Sequence, residues 1–295
     1  MLAPPNNHVQ RSILLKVCTR NRKRTNILKM ADTQLIDVSY DGKKVSIEYQ
    51  MLRPQATDRP LLVFLHEGLG SVGMWKQWPA DTCNTLDCRG LVFSRYGYGK
   101  STARPHNERW PVDFMHIQAR QFLPAFFEAL GLDTRKDQPV LVGHSDGASI
   151  ALLYAAAFPD RIRAAAVLAP HLFVEDVTLR NIENARAVFS STDLPQKLAR
   201  YHADVDSAFW GWNDVWLNPA FRDWNIEEEV ARIQCPVLAI QGRDDEYGTL
   251  AQVEHLAELA RNASLYIMDD CRHSPHIDKP KETIDAIAAF VRKLP

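Results

Sequence analysis

The run Gly143-His144-Ser145-Asp146-Gly147 sets a serine between two glycines at a spacing suited to nucleophilic chemistry. A serine hydroxyl is a weak nucleophile until a base takes its proton, so further groups must be sought along the chain. Cys271-Arg272-His273-Ser274-Pro275-His276 offers two imidazoles. His273, the nearer to the strand that precedes it, is our choice for the base, and His276 is left a loop or supporting role. An imidazole in that role needs a carboxylate to hold its tautomer and stabilise its cation. Gln241-Gly242-Arg243-Asp244-Asp245-Glu246 supplies three acids. We choose Asp245, three residues past the glycine, with Asp244 its close rival. His144 adjoins the serine, but its side chain is expected to point away from Oγ and to serve packing.

Attack on a carbonyl also creates an oxyanion that needs donors. The backbone N–H of Asp146, directly after the serine, is one candidate. The other is Gly68, in the glycine-bearing run His66-Glu67-Gly68-Leu69-Gly70-Ser71.

These groups have to be brought together by the elements between them. Leu35–Tyr40 and Lys43–Tyr49 read as strands joined by Asp41-Gly42, a strong hairpin turn. Leu61–Leu65 is a short all-apolar run, as in a strand buried on both faces. Strand and helix then alternate: Leu91–Ser94 before a helix Val112–Leu130, Val140–Gly143 before Ala148–Phe158, then the strand Arg163–Leu168. Val237–Ile240 precedes a helix Leu250–Leu259, and Leu265–Met268 precedes Lys281–Val291. Such alternation predicts an α/β fold: a mostly parallel sheet covered by helices, with the hairpin at one edge. The serine would sit between a strand and a helix, on a tight turn that exposes its hydroxyl. Both the acid and the base would follow strand ends.

Between Pro170 and Cys235 the alternation stops. This stretch has helical patches, no convincing strand, and four of the seven tryptophans: Trp210, Trp212, Trp216 and Trp224. It reads as a helical cap, about residues 171–234, over the carboxyl edge of the sheet. Some of the tryptophans should fill the cap's own core and at least one is a candidate to face a pocket.

The 295 residues suffice for one such domain with its insertion, residues 31–295. The net charge of −1 recommends neither nucleic acid nor an anionic membrane as a partner. No apolar run reaches the ~18–20 residues that span a bilayer. Five cysteines without paired spacing speak against a zinc site and suit a reducing compartment, the cytoplasm. The first thirty residues carry seven bases and no acid. That composition also fits a mitochondrial presequence. Pro4, Pro5 and Asn6-Asn7 interrupt an amphipathic helix, so we read residues 1–30 as a disordered extension.

From Leu35 to Lys293 the sequence resembles the α/β-hydrolase superfamily, specifically its capped single-domain serine hydrolases. The resemblance rests on His66–Ser71, Tyr96-Gly97-Tyr98-Gly99-Lys100-Ser101, the serine pentapeptide, Gly242-Arg243-Asp244-Asp245 and Cys271-Arg272-His273, in that order. The order serine, acid, histidine is the one that fold uses. The family's acid spacing implies Asp245 and its base position His273. Three positions depart from the usual pattern. Glu67 replaces a glycine after His66, Arg272 replaces a glycine before the base, and Gly248 stands where proline is common.

The resemblance implies a carboxylic-ester hydrolase acting through an acyl-enzyme on a small-molecule substrate, with no metal or organic cofactor. Capped relatives also include carbon–carbon hydrolases and lyase-like synthases of anionic keto acids. In such an enzyme a cap arginine, Arg180 or Arg186, would bind a carboxylate. A third expectation is a ligand-sensing member of the fold without turnover. The sequence leaves the oligomeric state open.

Overall fold

The structure, a computed structural model, describes residues 33–294. The expected N-terminal extension, residues 1–30, lies outside the described residues. Eight strands form a single sheet: β1 (Gln34–Tyr40), β2 (Lys43–Leu52), β3 (Leu61–Leu65), β4 (Arg89–Phe93), β5 (Val140–His144), β6 (Ala164–Leu168), β7 (Val237–Gly242) and β8 (Ala263–Met268). Their spatial order is β1-β2-β4-β3-β5-β6-β7-β8. β1 and β2 pair antiparallel, as do β2 and β4, and all the remaining pairs are parallel. Asp41 and Gly42 at the hairpin tip both have positive φ, 48° and 68°, the twist that a two-residue hairpin turn requires.

The run Leu61–Leu65 is buried throughout, and its alternation divides the core in two. Leu61, Val63 and Leu65 join the cluster that contains Phe122, Phe126, Leu152 and Tyr154. Leu62 and Phe64 join the opposite cluster, with Trp75, Trp78 and Ile287. Helices therefore cover both faces, as an apolar parallel sheet demands.

Two of the longer helices differ most from expectation. Trp78–Leu86 forms a helix between β3 and β4 that the sequence reading passes over. Its buried face consists of Trp78, Pro79, Thr82 and Cys83, so the apolar periodicity is faint. The expected helix Val112–Leu130 begins at Phe114, ends at Ala129 and contains a π turn at Gln118–Phe122. The Leu123 N–H donates to the Gln118 carbonyl, five residues back. Pro124 follows directly. Its ring cannot donate and would crowd a regular turn, and the extra residue of the π turn accommodates it.

Between β6 and β7 the chain leaves the sheet. It forms helices Asp176–Ser191, Leu194–Leu198 and Val205–Trp216, a short turn Pro219–Phe221 and a last helix Glu227–Val230. Phe189 and Phe209 stack with ring centres 3.7 Å apart, tying the first long helix to the third. Glu227–Val230 returns to the main body and packs against helices Asp146–Ala157 and Ala251–Leu259.

Candidate active site

β5 ends at His144 and the helix Asp146–Ala157 starts two residues later, which leaves Ser145 alone at the corner. Its backbone has φ 53° and ψ −121°. For a residue with a Cβ this is strained, at a cost of about 1–3 kcal/mol. The flanking glycines make the corner sterically possible. A Cβ on Gly143 would lie 2.3 Å from the Gly147 carbonyl oxygen, and one on Gly147 would lie 2.2 Å from that of Leu65.

The structure brings Ser145, Asp245 and His273 together. Ser145 Oγ is 3.0 Å from His273 Nε2. His273 Nδ1 is 2.8 Å from Asp245 Oδ1 and 3.0 Å from Oδ2. The acid is itself held. Asp245 Oδ1 accepts from the backbone N–H groups of Tyr247 at 2.8 Å and Gly248 at 3.2 Å, and Oδ2 accepts from the Gln241 amide at 3.2 Å. A proline at 248 could not make that bond, so the departure from the usual pattern adds a donor. Asp244, the rival acid, is not among these contacts; its backbone N–H donates to the Cys271 carbonyl.

Charges sharpen the arrangement. Burial pushes the Asp245 carboxyl up, but the adjacent His273 charge and the hydrogen bonds from His273 and Tyr247 hold it below the usual range. Burial lowers the basicity of His273. The Asp245 charge and hydrogen bond, with Glu246 and Glu67 nearby, outweigh burial and raise it above the ordinary histidine value.

His276 is buried but does not approach the serine. Its ring packs against Trp75, Trp78 and His144, with centroid distances of 4.8, 5.6 and 4.7 Å. His144 does more than pack: its Nε2 hydrogen-bonds the His273 carbonyl at 2.8 Å, and its Nδ1 lies 3.5 Å from Glu67 Oε2. Glu67 thus puts a carboxylate beside the pocket. Arg272, the remaining departure, lies with its Nε 3.7 Å from Asp278.

A cavity of about 940 Å³, mouth included, opens over Ser145. Gly68, Asp146 and His273 line it together with residues of the β6–β7 excursion. Trp212 and Trp216 face it, whereas Trp210 packs against Phe189 and Phe209, and Trp224 stacks on Phe221. Trp212 crowds the loop so closely that a Cβ on Gly68 would fall 2.2 Å from its ring. Arg180 is exposed and Arg186 is engaged by Asn213 and Asp214; neither lines the cavity. The cavity's lining cation is Lys197, which pairs with Asp193 at 2.8 Å.

Sequence reasoning missed His171, which lines the cavity with its ring 5.7 Å from that of His273. Burial lowers its pKa to about 3, so it is neutral near pH 7. Its place just past β6, at the carboxyl edge of the sheet, was the available signal. Tyr247 was also missed; its ring lies 4.8 Å from that of His273. Among the described residues no cluster of His, Cys, Asp or Glu is disposed to hold a metal ion.

A family model for the alpha/beta hydrolase family matches residues 62–286. The chain belongs to that family. It is 26% identical over 254 residues to "Putative carbamate hydrolase RutD" of Pseudomonas savastanoi, covering 79% of this chain and 93% of that protein. It is 22% identical over 306 residues to the proline iminopeptidase of Heyndrickxia coagulans, covering 88% and 98%. A thermophilic esterase from Thermogutta terrifontis shares the fold, with a TM-score of 0.66 at 18% identity over 89% of this chain and 99% of that one. This member of the alpha/beta hydrolase family has one eight-stranded sheet among its described residues, and none of the helices described is long and apolar enough to cross a membrane.

Proposed function

We propose that the protein is a serine hydrolase that cleaves a carboxylic ester of a small or medium-sized substrate through an acyl-enzyme. The observation that carries this reading is the unbroken chain Ser145 Oγ, His273, Asp245 at the floor of a largely apolar cavity. His273 Nε2 takes the hydroxyl proton as Ser145 Oγ bonds to the ester carbonyl carbon. The oxyanion that forms is held by the N–H groups of Gly68 and Asp146. The tetrahedral intermediate collapses, and the proton on His273 passes to the departing alkoxide. Water then adds to the acyl-enzyme by the same route, giving the acid and free Ser145. The helices of residues 171–234 act as the cap that shapes the pocket and excludes bulk water.

The carbon–carbon hydrolase reading needs a cation free to bind a substrate carboxylate. Arg180 and Arg186 do not supply one, and Lys197 is already paired. A purely ligand-sensing role would leave the Ser145–His273 contact without use. The buried, unpaired Cys83, Cys88, Cys235 and Cys271 support a reducing compartment such as the cytoplasm. A panel of p-nitrophenyl acetate, an aryl carbamate, a proline anilide and a vinylogous diketo acid tests the reading. Turnover should be greatest on the ester. Selective cleavage of the diketo acid, or ligand binding without turnover of any member, would contradict it.

A further inference from the structure

Glu67 and Gly68 share one peptide unit. In a trans peptide the C=O and N–H point in opposite directions, so whatever fixes the Glu67 carbonyl also aims the Gly68 N–H. That carbonyl is held by three donors: the Gly70 N–H at 3.1 Å, His66 Nδ1 at 2.7 Å and Arg95 Nη2 at 2.8 Å. The His66 tautomer is set by its other nitrogen. Nε2 accepts the Arg95 backbone N–H at 3.0 Å, so the ring proton sits on Nδ1, where it can donate. Burial and the Arg95 charge both lower the basicity of His66, which keeps the ring neutral.

Arg95 also reaches the second donor. Its Nη2 lies 3.7 Å from Asp146 Oδ2, and the other carboxylate oxygen of Asp146 accepts Trp216 Nε1 at 3.1 Å. The arginine follows β4, Gly68 follows β3 and Asp146 follows β5, and β3 is the middle strand of the three. One guanidinium thus bridges the two loops that bear Gly68 and Asp146. It does so at 2% exposure, its carbon 4.9 Å from the Tyr98 ring centre, with Nε and Nη1 meeting no acceptor among the described residues. Burying a partly unsatisfied cation is costly, and packing alone gives no reason to retain one.

We propose that Arg95 is a positioning residue for the oxyanion hole: it fixes and polarises the Glu67–Gly68 peptide and anchors Asp146, so that both N–H groups converge above Ser145. A charged donor on the Glu67 carbonyl strengthens the opposite N–H as a donor, because hydrogen bonds in series polarise one another. The proposal rests on the reading of Ser145 as nucleophile. The benefit appears only when negative charge develops on the carbonyl oxygen, so it belongs to kcat rather than to KM.

The test compares wild type, Arg95→Met, Arg95→Lys and His66→Leu with p-nitrophenyl acetate as substrate. A trifluoromethyl ketone, which forms a tetrahedral oxyanion adduct, and the methyl ketone of the same chain, which stays planar, serve as inhibitors. Arg95→Met should lower kcat about 10- to 100-fold, less than the ~10²–10³ lost when an oxyanion donor is removed outright. KM should stay within about twofold, since uniform binding is untouched. Trifluoromethyl ketone affinity should fall with kcat while methyl ketone affinity holds, and Arg95→Lys should recover part of the loss. Unchanged kcat, or equal loss of both inhibitors, overturns the proposal. If Arg95→Met does not fold, the same split between inhibitors must appear in His66→Leu and Arg95→Lys, and its absence there overturns it. Turnover that survives Ser145→Ala overturns the functional reading and this inference together. Turnover lost in Ser145→Ala but intact in Arg95→Met overturns the inference alone.

Discussion

His273 Nδ1 faces both carboxylate oxygens of Asp245, at 2.8 and 3.0 Å, and this fixes which imidazole nitrogen is left for Ser145. With its proton held on Nδ1, the ring presents a lone pair from Nε2 to the hydroxyl 3.0 Å away. Histidine must be neutral to act as the base. Asp245, Glu246 and Glu67 together raise its pKa despite burial. The imidazolium therefore persists to higher pH than for a free histidine. kcat/KM should be low in acid and rise through one ionisation above pH ~6.5. Asp245→Asn removes the principal charge, so the inflection should move down while the plateau falls about 10³- to 10⁴-fold. A pH–rate profile of both proteins checks this; an unmoved inflection would contradict it.

The two histidines of the last loop should separate cleanly. In the proposed mechanism His273→Ala removes the base and should lower kcat by about 10³-fold or more. His276→Ala leaves the Ser145 contacts in place but opens a void between Trp75, Trp78 and His144. Its effect should fall on stability, about 2–3 kcal/mol by denaturant unfolding, with kcat within about tenfold.

That distinction also marks how far the sequence could be read. The serine corner was legible because the strained geometry leaves few residue choices at Gly143 and Gly147. Asp245 and His273 were legible because both follow strand ends at the same edge of the sheet. Arg95 was not, because its contacts run from the end of β4 to the Glu67 carbonyl after β3 and, past β3, to Asp146, and spacing along the chain carries no trace of that. The helix Trp78–Leu86 was hidden for a different reason: half its buried face is Pro79 and Thr82, which leave little apolar period. Arg186 shows the same limit, since an arginine engaged by Asn213 and Asp214 looks the same in sequence as one free for a ligand.

The corner itself can be tested by crowding it. Gly143→Ala places a methyl 2.3 Å from the Gly147 carbonyl oxygen and 2.6 Å from Ala148 Cα. Backbone cannot move aside as a flexible side chain can, so the loss should be about 3 kcal/mol or more. Thermal or denaturant unfolding measures it, and an unchanged midpoint would mean that the corner is looser than described.

Trp216 joins the β6–β7 excursion to the serine corner through its bond to Asp146, a carboxylate that burial pushes up while Arg95 and Trp216 pull it down. Trp216→Phe keeps most of the ring but leaves Asp146 Oδ1 without this donor. A cost of about 1–3 kcal/mol follows for an unpaired buried acceptor. The variant should also bind the trifluoromethyl ketone more weakly than wild type; equal stability and equal affinity would contradict the link.

The most direct test of the central claim is covalent. The folded protein is treated with a fluorophosphonate, digested, and the modified residue located by mass spectrometry, with Ser145→Ala as control. Modification at Ser145, absent from the variant together with ester turnover, is the predicted result. Labelling at another residue, or ester hydrolysis that persists in folded Ser145→Ala, would contradict the account.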